Sequence, residues 1–250
     1  MNLLYSISVS KLLRLGLAVS SFLYVISSEA SNQKSKRWYV SCELSSKYVW
    51  RGLEYGKSPT VFPGLNYEKG AFLGSVSGAY AVDGSHQEVD LGLSYTIKDL
   101  VTVGLNDYYY PSAVGQHDSY FRLKSIETGH YVEASATVTP TKIPLWFKLS
   151  CYVYGADKDS TGKQAYSSYA EVGYQYVFKN EDVLSLSVGA SLNKGFYTDY
   201  ERGFNVVNIA FKYESTLMFN NFKLPVSASY VLNPYRNKSY FTFSVYFSTK

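Results

Sequence analysis

The residues able to do bond-breaking chemistry are few, and their spacing does not favour it. Histidine occurs only at His86, His117 and His130. No H-x-x-x-H pair offers two metal ligands from one helix face, and no G-x-S-x-G elbow presents a serine nucleophile. The three histidines are expected at the surface, in or beside loops. Glycine clusters fall within strand or turn pattern, so no loop is built to cradle a phosphate. Cys42 and Cys151 exclude a cysteine-rich scaffold. Both lie on the apolar parity of strands expected on opposite sides of a sheet, too far apart for a disulfide, which needs Cα atoms within about 7 Å. No catalytic residue, metal site or cofactor is therefore expected. The informative side chains are charged ones: Glu43, Lys47, Arg51, Glu88, Asp90, Glu133, Lys148, Glu171 and Lys212. Their chemistry is ion pairing and selection among solutes.

Composition narrows the elements that must carry them. The 250 residues include 24 Lys plus Arg and 20 Asp plus Glu, a net charge of +4. That excess is too small and too scattered for a nucleic-acid-binding surface. Charged residues make up 18%, against about a quarter in soluble domains. Aromatics reach 17%, mostly the 26 Tyr, which excludes disorder.

Residues 1–30 differ from the rest. Lys11 and Arg14 precede an apolar run from Leu15 to Ile26, and Ser28-Glu29-Ala30 offers small residues at both specificity positions of a cleavage site. This reads as a cleaved secretory signal peptide rather than an anchor, which needs about 20 apolar residues. Residues 31–250 then form one domain. Within it the densest apolar stretch, Ile143 to Phe147, is far too short for a membrane helix.

What persists instead is period two. Val89, Leu91, Leu93, Tyr95 and Ile97 alternate with Glu88, Asp90, Gly92, Ser94 and Thr96. Leu145, Phe147, Leu149, Cys151 and Val153 oppose Lys148, Ser150 and Tyr152, while Phe241, Phe243, Val245 and Phe247 oppose Tyr240, Thr242 and Ser244. Glycine and serine fill many polar positions, which suits a face lining a cavity. The pattern predicts strands over 38–51, 59–69, 71–82, 86–98, 100–110, 129–138, 145–155, 165–178, 183–193, 204–214, 223–232 and 239–248. Most exceed the five or six residues of an average strand and match the nine to eleven of a tilted membrane strand. The second, fourth, sixth and eighth connections are brief and the odd ones mostly longer, although 215–222 is long for a turn. The fold class is thus all-β: a closed antiparallel up-and-down transmembrane β-barrel of about 12 strands, with both termini on the short-turn, periplasmic side. Trp38 and Trp50 are expected at the two ends of the first strand, about 30 Å apart along the membrane normal, as members of two aromatic girdles.

Several segments resemble the TorF-type porin family (the Gcw_chp group). Ser46-Lys47-Tyr48-Val49-Trp50-Arg51-Gly52 resembles its S-x-Y-x-x-R-G start, and Tyr108-Tyr109-Tyr110-Pro111 its Y-x-Y-P strand end. Gly70 to Gly74 and Glu88 to Gly92 are similar to its second hairpin and acidic fourth strand. Tyr131-Val132-Glu133 and Tyr169-Ala170-Glu171-Val172-Gly173 resemble its later Y-x-E strands. The likeness covers about 45–175. It implies an outer-membrane porin-like barrel. The chain departs from barrel proteins, which usually end on the aromatic of the last strand, in carrying Ser248-Thr249-Lys250 after Phe247.

Charges facing lipid at mid-depth cost about 2–4 kcal/mol for Arg or Lys, so Lys47, Arg51, Glu88, Asp90, Glu133, Lys148 and Glu171 are expected to face a lumen. Arg51, Glu88 and Glu133 come out at similar height in the outer half, as a mixed-charge constriction or a salt-bridge network filling a narrow barrel. Arg51 is expected to pair with at least one of the carboxylates. The expected function is passive diffusion of small hydrophilic solutes across a bacterial (Gram-negative) outer membrane. The expected partners are the lipid bilayer, those solutes and the outer-membrane assembly machinery, with no nucleic acid. The competing reading is a structural or adhesive barrel with a closed lumen, acting through its outer loops.

Overall fold

The computed structural model describes residues 37–111, 119–125 and 127–250. The signal-peptide reading of 1–30, and His117, lie outside the described residues. Twelve strands close into one antiparallel barrel. In chain order they are β1 (Trp38–Ser45), β4 (Thr60–Lys69), β5 (Phe72–Ala81), β6 (Gln87–Ile97), β7 (Val101–Tyr109), β8 (His130–Val138), β9 (Leu145–Gly155), β10 (Ser168–Val177), β11 (Val183–Ser191), β12 (Asn205–Phe219), β13 (Phe222–Asn233) and β14 (Lys238–Ser248). Each pairs with its neighbour in sequence, and β1 closes the ring against β14 through Ser41–Ser248 and Leu44–Val245. This is the up-and-down topology that alternation predicts. Closure leaves no edge strand in the barrel wall.

The pleat sorts side chains by parity. Leu93, Leu105, Leu149, Phe211 and Phe243 point outward and are each about half exposed. Ser41, Glu43, Asn66, Glu88, Glu133, Thr137, Ser150, Ser227 and Ser244 point inward and are buried. The barrel is therefore apolar outside and polar inside, the inverse of a soluble domain. The thiols of Cys42 and Cys151 are free, on strands six places apart around the twelve-strand wall.

Two boundaries differ from the sequence reading. The turn expected over 215–222 is only Asn220-Asn221, because β12 runs to Phe219 and β13 starts at Phe222. Asn220 takes φ 53°, the left-handed region that asparagine tolerates. The larger difference is in the first strand. β1 ends at Ser45, not Arg51. Ser46 still exchanges backbone hydrogen bonds with the last barrel strand (its N–H to the Phe243 carbonyl), and its hydroxyl accepts from the Phe243 N–H. Beyond it the chain leaves the wall. Residues Tyr48–Trp50 (β2) and Leu53–Gly56 (β3) form a separate two-stranded hairpin, and the wall resumes at Thr60, directly opposite Ser45.

This hairpin folds into the barrel. Tyr48, Trp50, Arg51 and Leu53 are all buried. Trp50 is thus an interior residue and not part of an outer girdle, whereas Trp38, 61% exposed, remains outside. The turn is Arg51-Gly52, with φ 49° and 77°, the pair of left-handed residues that a two-residue hairpin requires. Gly52 also sits so close to the opposite wall that a Cβ there would lie 1.9 Å from the Val207 carbonyl oxygen. We expect Gly52→Ala to unseat the hairpin tip and cost about 1–3 kcal/mol, from backbone strain plus the clash. Urea unfolding of the refolded barrel measures this. Gly203→Ala, with open space around it, is the matched change expected to be neutral.

Candidate functional site

Arg51 enters the lumen at the tip of the hairpin and meets the far side of the barrel. Its Nη1 donates to Glu133 Oε2 at 2.5 Å and its Nη2 to Glu133 Oε1 at 3.0 Å. This is the forked geometry that a planar guanidinium offers a carboxylate. Nη1 also donates to the Tyr197 hydroxyl. The guanidinium carbon lies 4.2 Å from the Trp50 ring centre and 4.6 Å from that of Tyr169, within cation–π range. Glu133 has no solvent-exposed surface. A bulge orients it: the register between β8 and β9 shifts between Val132 and Glu133. Tyr108 donates to the same carboxylate at 3.4 Å.

The hairpin tip is fixed at a second point. Asn233 Nδ2, at the end of β13, donates to the Gly52 carbonyl at 3.0 Å. At its root, Lys47 and Glu54 form an ion pair of 2.6 Å. Ser58 just beyond donates to Asp83 on the β5–β6 connection at 2.8 Å. The Ser85 hydroxyl and amide, with Ser58, hold the Asp83 carboxyl below the usual carboxylate range. A depressed acid stabilises above its unfolded value, so this clamp is intact at neutral pH and weakens only as pH falls through the lowered one.

Aromatic side chains from around the wall close on the hairpin. Tyr48, Trp50, Leu53 and Phe62 pack with Tyr152, Tyr169, Tyr197 and Val207, and Tyr152, Tyr169, Tyr197 and Val207 have essentially no exposure. Tyr197 belongs to a 3-10 turn (Phe196–Thr198) in the connection from β11 to β12. The half of the barrel interior nearer the longer connections is thus filled by an aromatic core.

The other predicted lumen residues distribute as follows. Glu88 is buried and lies 3.0 Å from His86 Nε2, not beside Arg51. Asp90 points into the same region, with Oδ1 buried and unpartnered among the described atoms. Glu171 accepts from Tyr169 and is the cross-strand neighbour of Lys148. Lys47, Lys148, Glu171, Glu43 and Lys212 line a cavity of about 280 Å³ on the short-turn side of the hairpin. Lys212 pairs with Glu214 at 2.6 Å. The expectation of surface histidines fails at two positions. His86 packs against the rings of Tyr48, Tyr55 and Tyr110. His130 is 2% exposed, with Nδ1 2.8 Å from Asp107 Oδ2 and Nε2 2.7 Å from the Tyr120 carbonyl. Both sit at strand ends where the aromatic core and the β7–β8 connection cover them, which local sequence does not reveal. Among the described residues no cluster of His, Cys, Asp and Glu could hold a metal. Tyr197 and Asn233, which seat the hairpin, carry no sequence signal, because each lies in or beside a connection far from Arg51 in the chain.

Breaking a buried ion pair strands the partner charge and costs about 3–5 kcal/mol. Arg51→Met and Glu133→Leu should each lose that much in chemical denaturation. The double variant should lose clearly less than the sum, because it leaves neither charge behind.

No family model matches this sequence, and no curated protein matches it. Solved structures of similar shape do. The chain is similar to the KdgM porin, with TM-score 0.47 and 9% identity over 85% of this chain and 98% of that one. It is also similar to the NanC porin, with TM-score 0.43 and 13% identity over 83% and 97% of the two chains. A third similar structure is the COG4313 outer membrane channel from Pseudomonas putida F1, with TM-score 0.44 and 13% identity over 90% and 99%.

Proposed function

We propose that this chain is an outer-membrane, porin-type barrel that passes small hydrophilic solutes, and that the β2–β3 hairpin is the plug that closes it. The observation that carries the reading is the inverted polarity of a closed barrel. A belt of half-exposed Leu, Val, Phe and Tyr surrounds the wall, and ion pairs and hydroxyls face inward. An apolar surface of that extent is unstable in water and is matched by a bilayer. The strands of eight to fifteen residues, all but β1 of nine or more, are long enough to span it. The signal-peptide pattern of residues 1–30 agrees with export.

Twelve strands lie between the eight that side chains fill and the sixteen that leave a channel. Here the outer half is filled, but by a segment whose strands pair only with each other. Removing it does not break the barrel ladder. Passage therefore requires the hairpin to leave its seat, and Arg51 with Glu133 sets how firmly it is held. A second reading, a permanently closed barrel acting through its outer connections, is favoured by one observation: the complete burial of Tyr152, Tyr169, Tyr197 and Val207 around the hairpin.

Planar-bilayer recording separates the two. Ser45 and Thr60 are directly paired, so residues 46–59 can be replaced by an Asn-Gly turn without changing the register. The intact chain should show low or intermittent conductance, and the hairpin-less variant a steady conductance several-fold higher. Arg51→Ala should conduct more often than the parent and shift selectivity toward cations, because Glu133 remains. An inserted hairpin-less barrel that does not conduct overturns the channel reading. The membrane assignment has its own check. Leu93→Arg on the outer face should cost about 2–4 kcal/mol in bilayer stability if Leu93 lies near mid-depth. No loss at Leu93 and Leu105 together would overturn it.

A further inference from the structure

The cavity beneath the hairpin is built differently from the aromatic half above it. One rung of the wall runs Ser185, Lys212, Ser229 and Thr242 across β11, β12, β13 and β14. Ser187 lies two residues along from Ser185, and all five line the cavity. Among the described residues, Ser187, Ser229 and Thr242 make no side-chain hydrogen bond to another side chain. They present free hydroxyls to whatever occupies the space. Small hydroxyl residues at these positions also keep the wall low, which leaves room for an occupant.

Trp146 on β9 lines the same cavity. Its indole lies flush on the wall over Gly173. A Cβ at Gly173 would meet Cε2, Cζ2 and Nε1 of the ring at 2.2–2.4 Å. Only glycine allows the ring to lie flat there, with its other face left to the cavity. Trp50 and Phe62 add aromatic surface from the hairpin and β4.

Most charges around the cavity are balanced where they stand. Lys47 is paired with Glu54, Lys212 with Glu214, and Arg51 with Glu133. Lys148 is the direct cross-strand neighbour of Glu171, and Glu43, opposite Tyr246 in the ladder, is a lining carboxylate outside these ion pairs. A charged solute would have to disturb this balance of both signs, whereas a neutral one would not. The space of about 280 Å³ falls just under the range of about 300–1,000 Å³ typical of pockets for drug-sized ligands. It suits one small ring.

From a flat aromatic face, a ladder of free hydroxyls and charges of both signs that are mostly paired, the geometry points to a binding site for a neutral, polyhydroxylated ring of monosaccharide size. The ring's apolar face stacks on Trp146 and its hydroxyls bond to Ser187, Ser229 and Thr242. The inference names the solute of the channel proposed above and rests on that reading. Its test is equilibrium binding, so that it can fail separately from conduction.

The refolded full barrel in detergent is dialysed to equilibrium against labelled neutral hexoses, an open-chain hexitol, a hexose phosphate and a zwitterionic amino acid. Saturable binding of at least one cyclic hexose is expected, about tenfold tighter than the hexitol. Trp146→Ala should weaken it about tenfold, and Trp146→Phe should restore most of the loss. Gly173→Ala should weaken it through the displaced ring, and Ser229→Ala about threefold, as loss of one hydrogen bond implies. Each variant is first checked for heat-modifiable gel mobility, and Trp146→Phe keeps the test valid if Trp146→Ala fails to fold. Absence of saturable hexose binding overturns the inference. So does tighter binding of the phosphate or the amino acid, or binding that Trp146→Phe and Ser229→Ala leave unchanged. A hairpin-less barrel that conducts while the intact barrel binds no hexose overturns this inference alone. Hexose binding by a barrel that never conducts overturns the channel reading instead.

Discussion

The buried pair between Arg51 and Glu133 is the interaction on which the interior depends. A guanidinium with almost no exposure is costly to desolvate, and only a forked carboxylate with additional hydrogen bonds offsets that cost. Glu133 supplies the fork, Tyr197 a further acceptor, and the rings of Trp50 and Tyr169 their faces. The hairpin tip therefore has one energetically sensible position. Seating it there places Gly52 against Val207 and Asn233, which in turn brings Tyr48, Trp50 and Leu53 among the wall tyrosines. Without the pair, only the hydrogen bond from Asn233 to the Gly52 carbonyl would be left as a buried polar tie on the hairpin tip.

The barrel wall depends on a different balance. Its wall is closed, so no edge strand is left to be covered whatever the interior contains. Apolar side chains outside and small polar ones inside are stable only where the surroundings are apolar as well. The interior is free to vary along the axis. In the half nearer the longer connections it holds an aromatic core of the kind found in a soluble domain, gathered around an element that is not part of the wall. In the other half, serine and threonine leave space open. One chain thus has a filled half and a cavity, separated by a two-stranded hairpin.

Hairpin and cavity are linked by shared residues. Trp50, Arg51 and Gly52 form both the underside of the hairpin and part of the cavity lining. A hairpin that moves changes the cavity's volume and its aromatic surface together. An occupant touching Trp50 favours the seated hairpin in proportion to its contacts with that state, as any ligand with unequal affinity for two conformations does. The coupling needs no further element.

How much of this was legible in the residues follows from range. Period two is a local property, and it identified the all-β class and the twelve wall strands, because the pleat alone decides which side a residue takes. Burial cost alone argued that Arg51 must be inside and paired with a carboxylate. Local pattern misplaced the route by which it gets there. Tyr48, Trp50 and Arg51 continue the alternation of Trp38 to Ser45, since a second strand follows the first after only two residues, and Arg-Gly lacks the usual hairpin signal of Asn-Gly. Alternation cannot distinguish one long strand from two short ones that turn inward. The choice of Glu133 over Glu88, the role of Tyr197, the burial of His86 and His130, and the flat seat of Trp146 on Gly173 all join residues distant in sequence. They depend on the shear and curvature of a closed wall and on which connections fold over it, and those exist only once the barrel has formed.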